Sequence, residues 1–330
     1  MSSIQWKRKL WPFSYAKSYT LEQKVAHILG RLENDPEQEY EAYYWIGNCY
    51  YHEELYEDAN KAYLKALSLS EDPVFIAMIY ECLATIAGYI YENDVDVFLN
   101  YMLKSLALQP DDENNLIRVG MEFLEREDYP NAEKYLLHLR EVNPKNLSVH
   151  RYLGKLYEYT NRDELAEVSY LTALPYSSGY PDTYQGLGRL FFKKKQFSKS
   201  REMFIKANMP DYISAYNYYG IALNYLNEED EYMALQYYHE ALKLDPDYFG
   251  VYNDLAKVYF DLMGDFKKAK EYLDRAEELA SNTMERQLVY GNLAKLHKAI
   301  VDDQTNAEYT MKLLRELGLS AELEDDDADE

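Results

Sequence analysis

The stretch Glu231–Asp247, EYMALQYYHEALKLDPD, recurs along this chain with its apolar spacing kept. Ala234, Tyr238, Ala241 and Leu242 fall on one helical face. Asp245, Pro246 and Asp247 stop the helix, because proline cannot continue it and disfavours α geometry in the residue before. Ala59–Asp72, Phe98–Asp111, Ala132–Lys145 and Ala269–Ser281 follow the same plan. A helix of this kind cannot bury its own apolar face, so its neighbours must. That confines the chain to an all-α stack in which each element contacts only the elements beside it.

The recurring helix is the second half of a longer unit. The unit at Tyr40 reads Tyr43, Ile46, Gly47, Tyr50, Ala59, Tyr63, Ala66. The unit at Glu113 reads Leu116, Val119, Gly120, Phe123, Ala132, Leu136, Leu139, and the unit at Leu147 reads His150, Leu153, Gly154, Tyr157, Ala166, Tyr170, Ala173. At Pro181 it is Tyr184, Leu187, Gly188, Phe191, Ser200, Phe204, Ala207. At Ile213 it is Tyr216, Tyr219, Gly220, Leu223 and, after a two-residue insertion, Ala234, Tyr238, Ala241. Looser copies start near Ala77, Phe249 and Gln287. This pattern resembles the tetratricopeptide repeat, W-x2-L-G-x2-Y then A-x3-F then P in about 34 residues. Tyrosine stands where that family has tryptophan. The resemblance covers about eight repeats over 40–319 and implies a right-handed α-solenoid of helix-turn-helix units. Glycine or alanine at the eighth position, with alanines further on, lets two helices approach closely, and aromatic rings fill the remainder.

Outside the array, residues 1–19 are basic and aromatic (Lys7, Arg8, Lys9, Trp6, Trp11, Phe13) with no acid. They read either as an arm lying on the acidic body of the chain or as a docking segment for a partner or membrane surface. A capping helix is expected within 20–39, with Thr20 as its N-cap and Asp35-Pro36 as its stop. Pro175 shortens a second helix, and the loop Ser177–Pro181 makes 175–181 a candidate hinge. Residues 320–330 hold an acidic tail expected to be disordered.

Chemistry is sparse. The six histidines show no metal-ligand spacing, and Gly186-Leu187-Gly188 lies in an expected helix with no strand before it. No nucleophile elbow, Walker loop or Ca²⁺ loop is present. The expectation is a non-enzymatic protein with no cofactor and no metal. Two cysteines, Cys49 and Cys82, outside any CxxC, and a basic start without an apolar core point to a reducing, cytoplasmic setting. No stretch reads as a membrane span. A net charge of −23 argues against nucleic acid, although a basic, aromatic groove keeps RNA as a lesser alternative.

What remains is a binding surface. In tetratricopeptide repeats the first helix of each unit lines a concave groove. Carried over by position, the resemblance assigns to that groove Tyr44, Trp45 and Asn48 in the first unit, Arg118 in the third, and Arg151, Tyr152 and Lys155 in the fourth. The fifth supplies Gln185, Arg189, Phe192 and Lys193, and the sixth Asn217, Tyr218, Asn224 and Tyr225. The seventh supplies Asn253, Lys257 and Phe260, and the eighth Asn292, Lys295 and Lys298. Asparagine can pair with an extended peptide backbone, and Arg and Lys neutralise carboxylates. The expected partner is an extended, acidic protein segment, held by a scaffold or adaptor. A regulator that changes shape around a peptide is the alternative, and the chain's own acidic tail is a weak cis competitor.

Overall fold

One residue sets the turn inside each repeat whose turn lies among the described residues. Glu54, Glu127, Asn161, Lys195 and Glu229 all have φ between 55° and 61°, the left-handed region, and Gly264 has φ 62°. Each follows the first helix of its repeat. The next N–H then bonds back across the turn, as Asp128 N does to Phe123 O at 2.9 Å and Gln196 N to Phe191 O at 2.8 Å. This closes the last turn of the first helix and redirects the chain into the second. From Glu127 to Glu229 these residues recur at the 34-residue period of the repeat.

The computed structural model describes residues 19–32, 38–90, 95–176 and 180–302. Residues 1–18 of the basic arm, the expected Asp35-Pro36 stop, the Ser177–Gly179 part of the candidate hinge, the part of the eighth repeat after 302 and the acidic tail lie outside the described residues. Two compact units divide at Arg162 and Asp163, inside the fourth repeat.

In the N-terminal unit, α1 (Leu21–Leu32) precedes hairpins α2 (Glu39–His52)/α3 (Tyr56–Leu69), α4 (Pro73–Ile90)/α5 (Val95–Leu108) and α6 (Glu113–Glu125)/α7 (Tyr129–Val142), and α8 (Leu147–Tyr159) follows. Each helix packs on the next. Thr20 caps α1: Gln23 N donates to Thr20 Oγ1, and Thr20 N donates to Gln23 Oε1 at 3.0 Å, a reciprocal capping box. Ile28 of α1 joins Ala42, Trp45 and Ile46 of α2 in one cluster. That covers Trp45, and Asn48 is buried as the acceptor for Tyr63 Oη at 2.9 Å. Neither can serve the groove assigned to it. Helix α4 is, by length and composition alone, apolar enough to cross a membrane, which corrects the expectation that no stretch would be. Its apolar residues Ala77, Ile79, Leu83 and Ile86 are core residues of the second repeat. Glu81 of the same helix accepts from Asn115 Nδ2 of α6 at 2.7 Å.

In the C-terminal unit, α9 (Asp163–Ala173) precedes hairpins α10 (Pro181–Lys193)/α11 (Phe197–Ala207), α12 (Ala215–Asn227)/α13 (Glu231–Leu244) and α14 (Phe249–Lys257)/α15 (Phe266–Leu279), and α16 (Thr283–Asp302) follows. Pro175 sits in a 3-10 turn, Leu174–Tyr176, that ends α9 early. A π turn, Val258–Leu262, extends α14. The alanines the pattern places in second helices, among them Ala234, Ala241, Ala269 and Ala276, are fully buried beside Tyr238 and Leu273. Ion pairs tie successive repeats: Lys194 of the fifth to Glu167 of the fourth, Arg201 of the fifth to Glu228 of the sixth. Such partly exposed pairs each contribute on the order of 0–1 kcal/mol, so apolar burial carries the stack.

Candidate functional site

Where a second helix carries a buried aromatic ring, as with Tyr170 and Phe204, that ring fixes the register of the helices around it. A Cβ at Gly188 would stand 2.9 Å from the Phe204 ring of its own repeat, and one at Gly220 would stand 2.8 Å from the same ring. Gly186 meets Tyr170 of the preceding repeat in the same manner. Gly220 is therefore the counterpart of Gly186, not of Gly188. Ala222, fully buried, takes the close-approach place in the sixth repeat. Helix α12 starts at Ala215, capped by Ser214, whose Oγ accepts from Tyr216 N at 3.2 Å. The sixth repeat thus begins at Ala215 rather than Ile213, and it contains no two-residue insertion.

This shift corrects the sites assigned to that repeat. Asn217 and Asn224 hold the positions that Thr183 and Leu190 hold in the fifth repeat, and both asparagines have 0% exposure. Asn217 accepts from Gln185 Nε2 at 2.8 Å and donates from Nδ2 to Asn208 Oδ1 at 2.9 Å. Asn224 donates to Gly220 O at 2.7 Å. Tyr218 and Tyr225 stack on Tyr237 of α13, with centroids 6.1 and 5.5 Å away, and Arg201 lies over Tyr225. Asn217 and Tyr225 thus contact the fifth repeat, whereas Asn224 and Tyr218 make their contacts within the sixth. Counted from Ala215, the positions that the resemblance assigns to a groove fall instead on Tyr216, Tyr219, Leu223 and Asn227.

Side-chain bonds run from one first helix to the next through the C-terminal unit. Gln185 reaches Asn217 as above, and Arg189 Nη1 donates to Tyr216 Oη at 3.2 Å. Tyr219 Oη donates to Asp254 Oδ2 at 2.8 Å. Burial and the Asp254 carboxylate push the Tyr219 phenol well above its usual range. Asn292 Nδ2 donates to Asn253 Oδ1 at 2.8 Å. Asn253 Nδ2 and Lys257 Nζ both donate to Asp254 Oδ1, at 3.2 and 3.0 Å. Asp254 thus receives three donors, which balances its burial. Asparagine 253, 98% buried, is interior as well.

The cations divide into two sets. Lys257 is taken by Asp254, and Lys193 Nζ donates to Asp163 Oδ1 at 2.9 Å. Lys295 and Lys298 are exposed on α16, with no ion pair among the described residues. Phe192 is half-buried against Phe197. In the N-terminal unit, each of the three cations assigned to the groove lies against an aromatic ring. Arg118 stands 5.1 Å from the Phe98 centroid, Arg151 4.7 Å from that of Tyr152, and Lys155 5.6 Å from that of Tyr159. Arg151 Nη2 also donates to Tyr152 Oη at 3.0 Å. These contacts hold the cations against the ring faces, where Arg118, Arg151 and Lys155 are half-buried.

A pocket of about 90 Å³ opens between α14, the π turn, α15 and α16. Ala256, Leu273, Leu296 and Phe260 make its apolar part, and Lys257, Asn292, Lys295 and Asp261 its polar part. No cluster of three His, Cys, Asp or Glu side chains with metal-binding geometry occurs among the described residues.

Sequence profiles of the tetratricopeptide repeat match residues 40–73, 215–248 and 233–288. The second of these begins at Ala215, the start that the Phe204 ring assigns to the sixth repeat. No curated protein matches the sequence. Among solved structures, the APC/C hetero-tetramer Cut9–Hcn1 aligns with TM-score 0.56 and 15% identity, over 88% of this chain and 55% of that one. Yeast Tom70 aligns with TM-score 0.51 and 18% identity, over 88% of this chain and 62% of that one. Pseudomonas aeruginosa pilF aligns with TM-score 0.50 and 19% identity, over 63% of this chain and 93% of that one. The chain spans little more than half the length of the first two, and at these identities the likeness is one of fold. The same period governs turn residues, pinched glycines and profile matches, and it makes this chain a tetratricopeptide repeat protein, a helical solenoid of stacked hairpins.

Proposed function

We propose that this chain is a non-enzymatic scaffold or adaptor that holds an extended, acidic segment of a partner protein along its first helices. Tetratricopeptide repeats are in general interaction modules, so the coarse function follows from the fold. The finer reading rests on one observation: in the C-terminal unit, consecutive first helices are laced together by the Gln185–Asn217, Arg189–Tyr216, Tyr219–Asp254 and Asn253–Asn292 bonds. Lacing of this kind pre-organises a row of side chains, which lowers the ordering cost of binding a flexible segment. Along that row the exposed cations Lys295 and Lys298 face solvent in a chain of net charge −23. The acidic preference follows from them and from Arg118, Arg151, Lys155 and Arg189 on earlier first helices. We place this work in the cytoplasm, on the strength of two cysteines left as free thiols.

Two baits test the reading in native lysate: the wild-type chain, and a Lys155→Glu, Lys295→Glu, Lys298→Glu variant shown by circular dichroism to be folded. The expected result is a partner held by the first and lost by the second, more strongly at low salt than at high. A partner held equally by both moves binding away from the first helices. The acidic residues Glu322–Glu330 act in this reading as a tethered competitor. Replacing them with serine then raises partner affinity at low salt, and equal affinities would remove the competitor.

A further inference from the structure

The seventh repeat is one residue longer before its turn than the third to sixth repeats. Its left-handed residue, Gly264, comes one place late relative to the series that ends at Glu229. The extra residue is absorbed by the π turn Val258–Leu262. Asp265 N accordingly reaches back one residue further than its counterparts, to Tyr259 O at 2.9 Å. The buried side of the helix is undisturbed, with Val258 and Tyr259 still in the core. Phe260 and Asp261 of the π turn line the pocket. π turns inside α-helices occur often at functional sites.

The pocket has an apolar floor of Ala256, Leu273 and Leu296 and a wall of Phe260. Its polar lining is Lys257, already held by Asp254, together with Asp261, Asn292 and Lys295. Asn292 is 92% buried, and its Nδ2 is held by Asn253. Asn292 lines the pocket, and its Oδ1 accepts no hydrogen bond from the described residues, which leaves it as an acceptor for a ligand. Lys295 supplies a positive charge beside it with no carboxylate partner among the described residues. An apolar floor, a backbone-type acceptor and a cation together match an extended peptide: an aliphatic side chain inside, its own N–H on Asn292 Oδ1, and a neighbouring carboxylate on Lys295. We propose that this pocket anchors a leucine-sized side chain flanked by acidic residues in a partner protein. The proposal rests on the reading that the first helices bind a partner segment, and it names the anchor and its site.

Fluorescence polarisation at low ionic strength tests it on the full chain. The probes are the labelled peptide Ser-Glu-Asp-Leu-Glu-Asp-Ser and the same peptide with Ala for Leu. On the wild type the leucine peptide is expected to bind about tenfold more tightly than the alanine peptide, from the methylenes it buries. Lys295→Glu is expected to weaken both peptides by about tenfold. Deleting Asp261, which restores the ordinary repeat length, is expected to bring the two peptides to equal affinity. Equal affinity on the wild type would overturn the pocket while leaving the groove reading intact. Binding of neither peptide would overturn both. A leucine peptide that gains tenfold or more in a Leu323→Ser chain would show that the chain's own acidic end, not a partner, is the occupant.

Discussion

Lys195 occupies a left-handed turn position, φ 56°, that L side chains other than asparagine enter at a cost of roughly 1 kcal/mol. Lys195→Gly is therefore expected to stabilise the chain by about 0.5–1 kcal/mol, read as a higher urea midpoint. Asn161→Gly, at the equivalent place with φ 55°, is expected to do almost nothing, because asparagine already tolerates this region. The glycines argue in the opposite direction. Gly186→Ala places its methyl against the ring of Tyr170, which is 2% exposed and cannot move aside, and is expected to cost about 1–3 kcal/mol. Gly291→Ala, with nothing within 4 Å, gains helix propensity instead. Small residues and rings of this kind were legible in the sequence because their spacing follows from steric needs that recur in each repeat. Gly220 misled because two glycine positions, two residues apart, both face an aromatic ring. The unbroken 34-residue step from Pro181 to Ala215, with Ser214 as the cap, was the sequence signal that could have settled the register.

At the scale of helices, the same arithmetic explains which polar residues turned inward. A sequence shows that Asn253 lies on the exposed-looking face of α14, but not that Asn292 of α16 arrives to pair with it. Burial of an amide depends on a partner from another helix, and a helical period carries no information about that partner. Asn253→Ala removes the acceptor for Asn292 Nδ2 and one donor to Asp254. The expected cost is about 1–3 kcal/mol, larger than for an exposed asparagine such as Asn227, because polar groups are left unpaired away from water. Denaturation of the two alanine variants side by side measures the difference, and equal costs would mean that water reaches the site. The polar lacing between first helices is then a stability element as well as the support of the proposed groove. Helix α4 gives the converse case: its long apolar run is explained by its place inside the second repeat, between α3 and α5.

At the scale of the whole chain, the abundance of tyrosine becomes a pH response. Burial pushes the Cys49 thiol up to about 11 and Cys82 up to about 12, from an ordinary 9.0. Burial likewise raises Tyr248 and Tyr272 to about 12 from 10.0, and Tyr219 and Tyr238 further still. In the unfolded chain these groups lose their protons near their ordinary values, whereas the folded chain keeps them. Above pH 9 the folded state therefore binds more protons than the unfolded one, and stability falls as pH rises. The contribution is complete below about pH 9 and is lost progressively as pH passes from the ordinary values through the raised ones. Each fully buried group adds a slope of up to about 1.4 kcal/mol per pH unit while its two states differ, and partly exposed groups add less. Alkaline charging also adds negative charge to a chain already at −23, and that repulsion is screened by salt, whereas the cost of ionising a buried phenol is screened much less. Urea midpoints measured at about pH 8, 9.5 and 10.5, each at low and high salt, separate the two. A fall in the midpoint that persists at high salt assigns the loss to the buried phenols and thiols. A fall that salt abolishes would assign it to surface charge, and a flat midpoint would mean that the stacked rings are far less buried than their packing indicates.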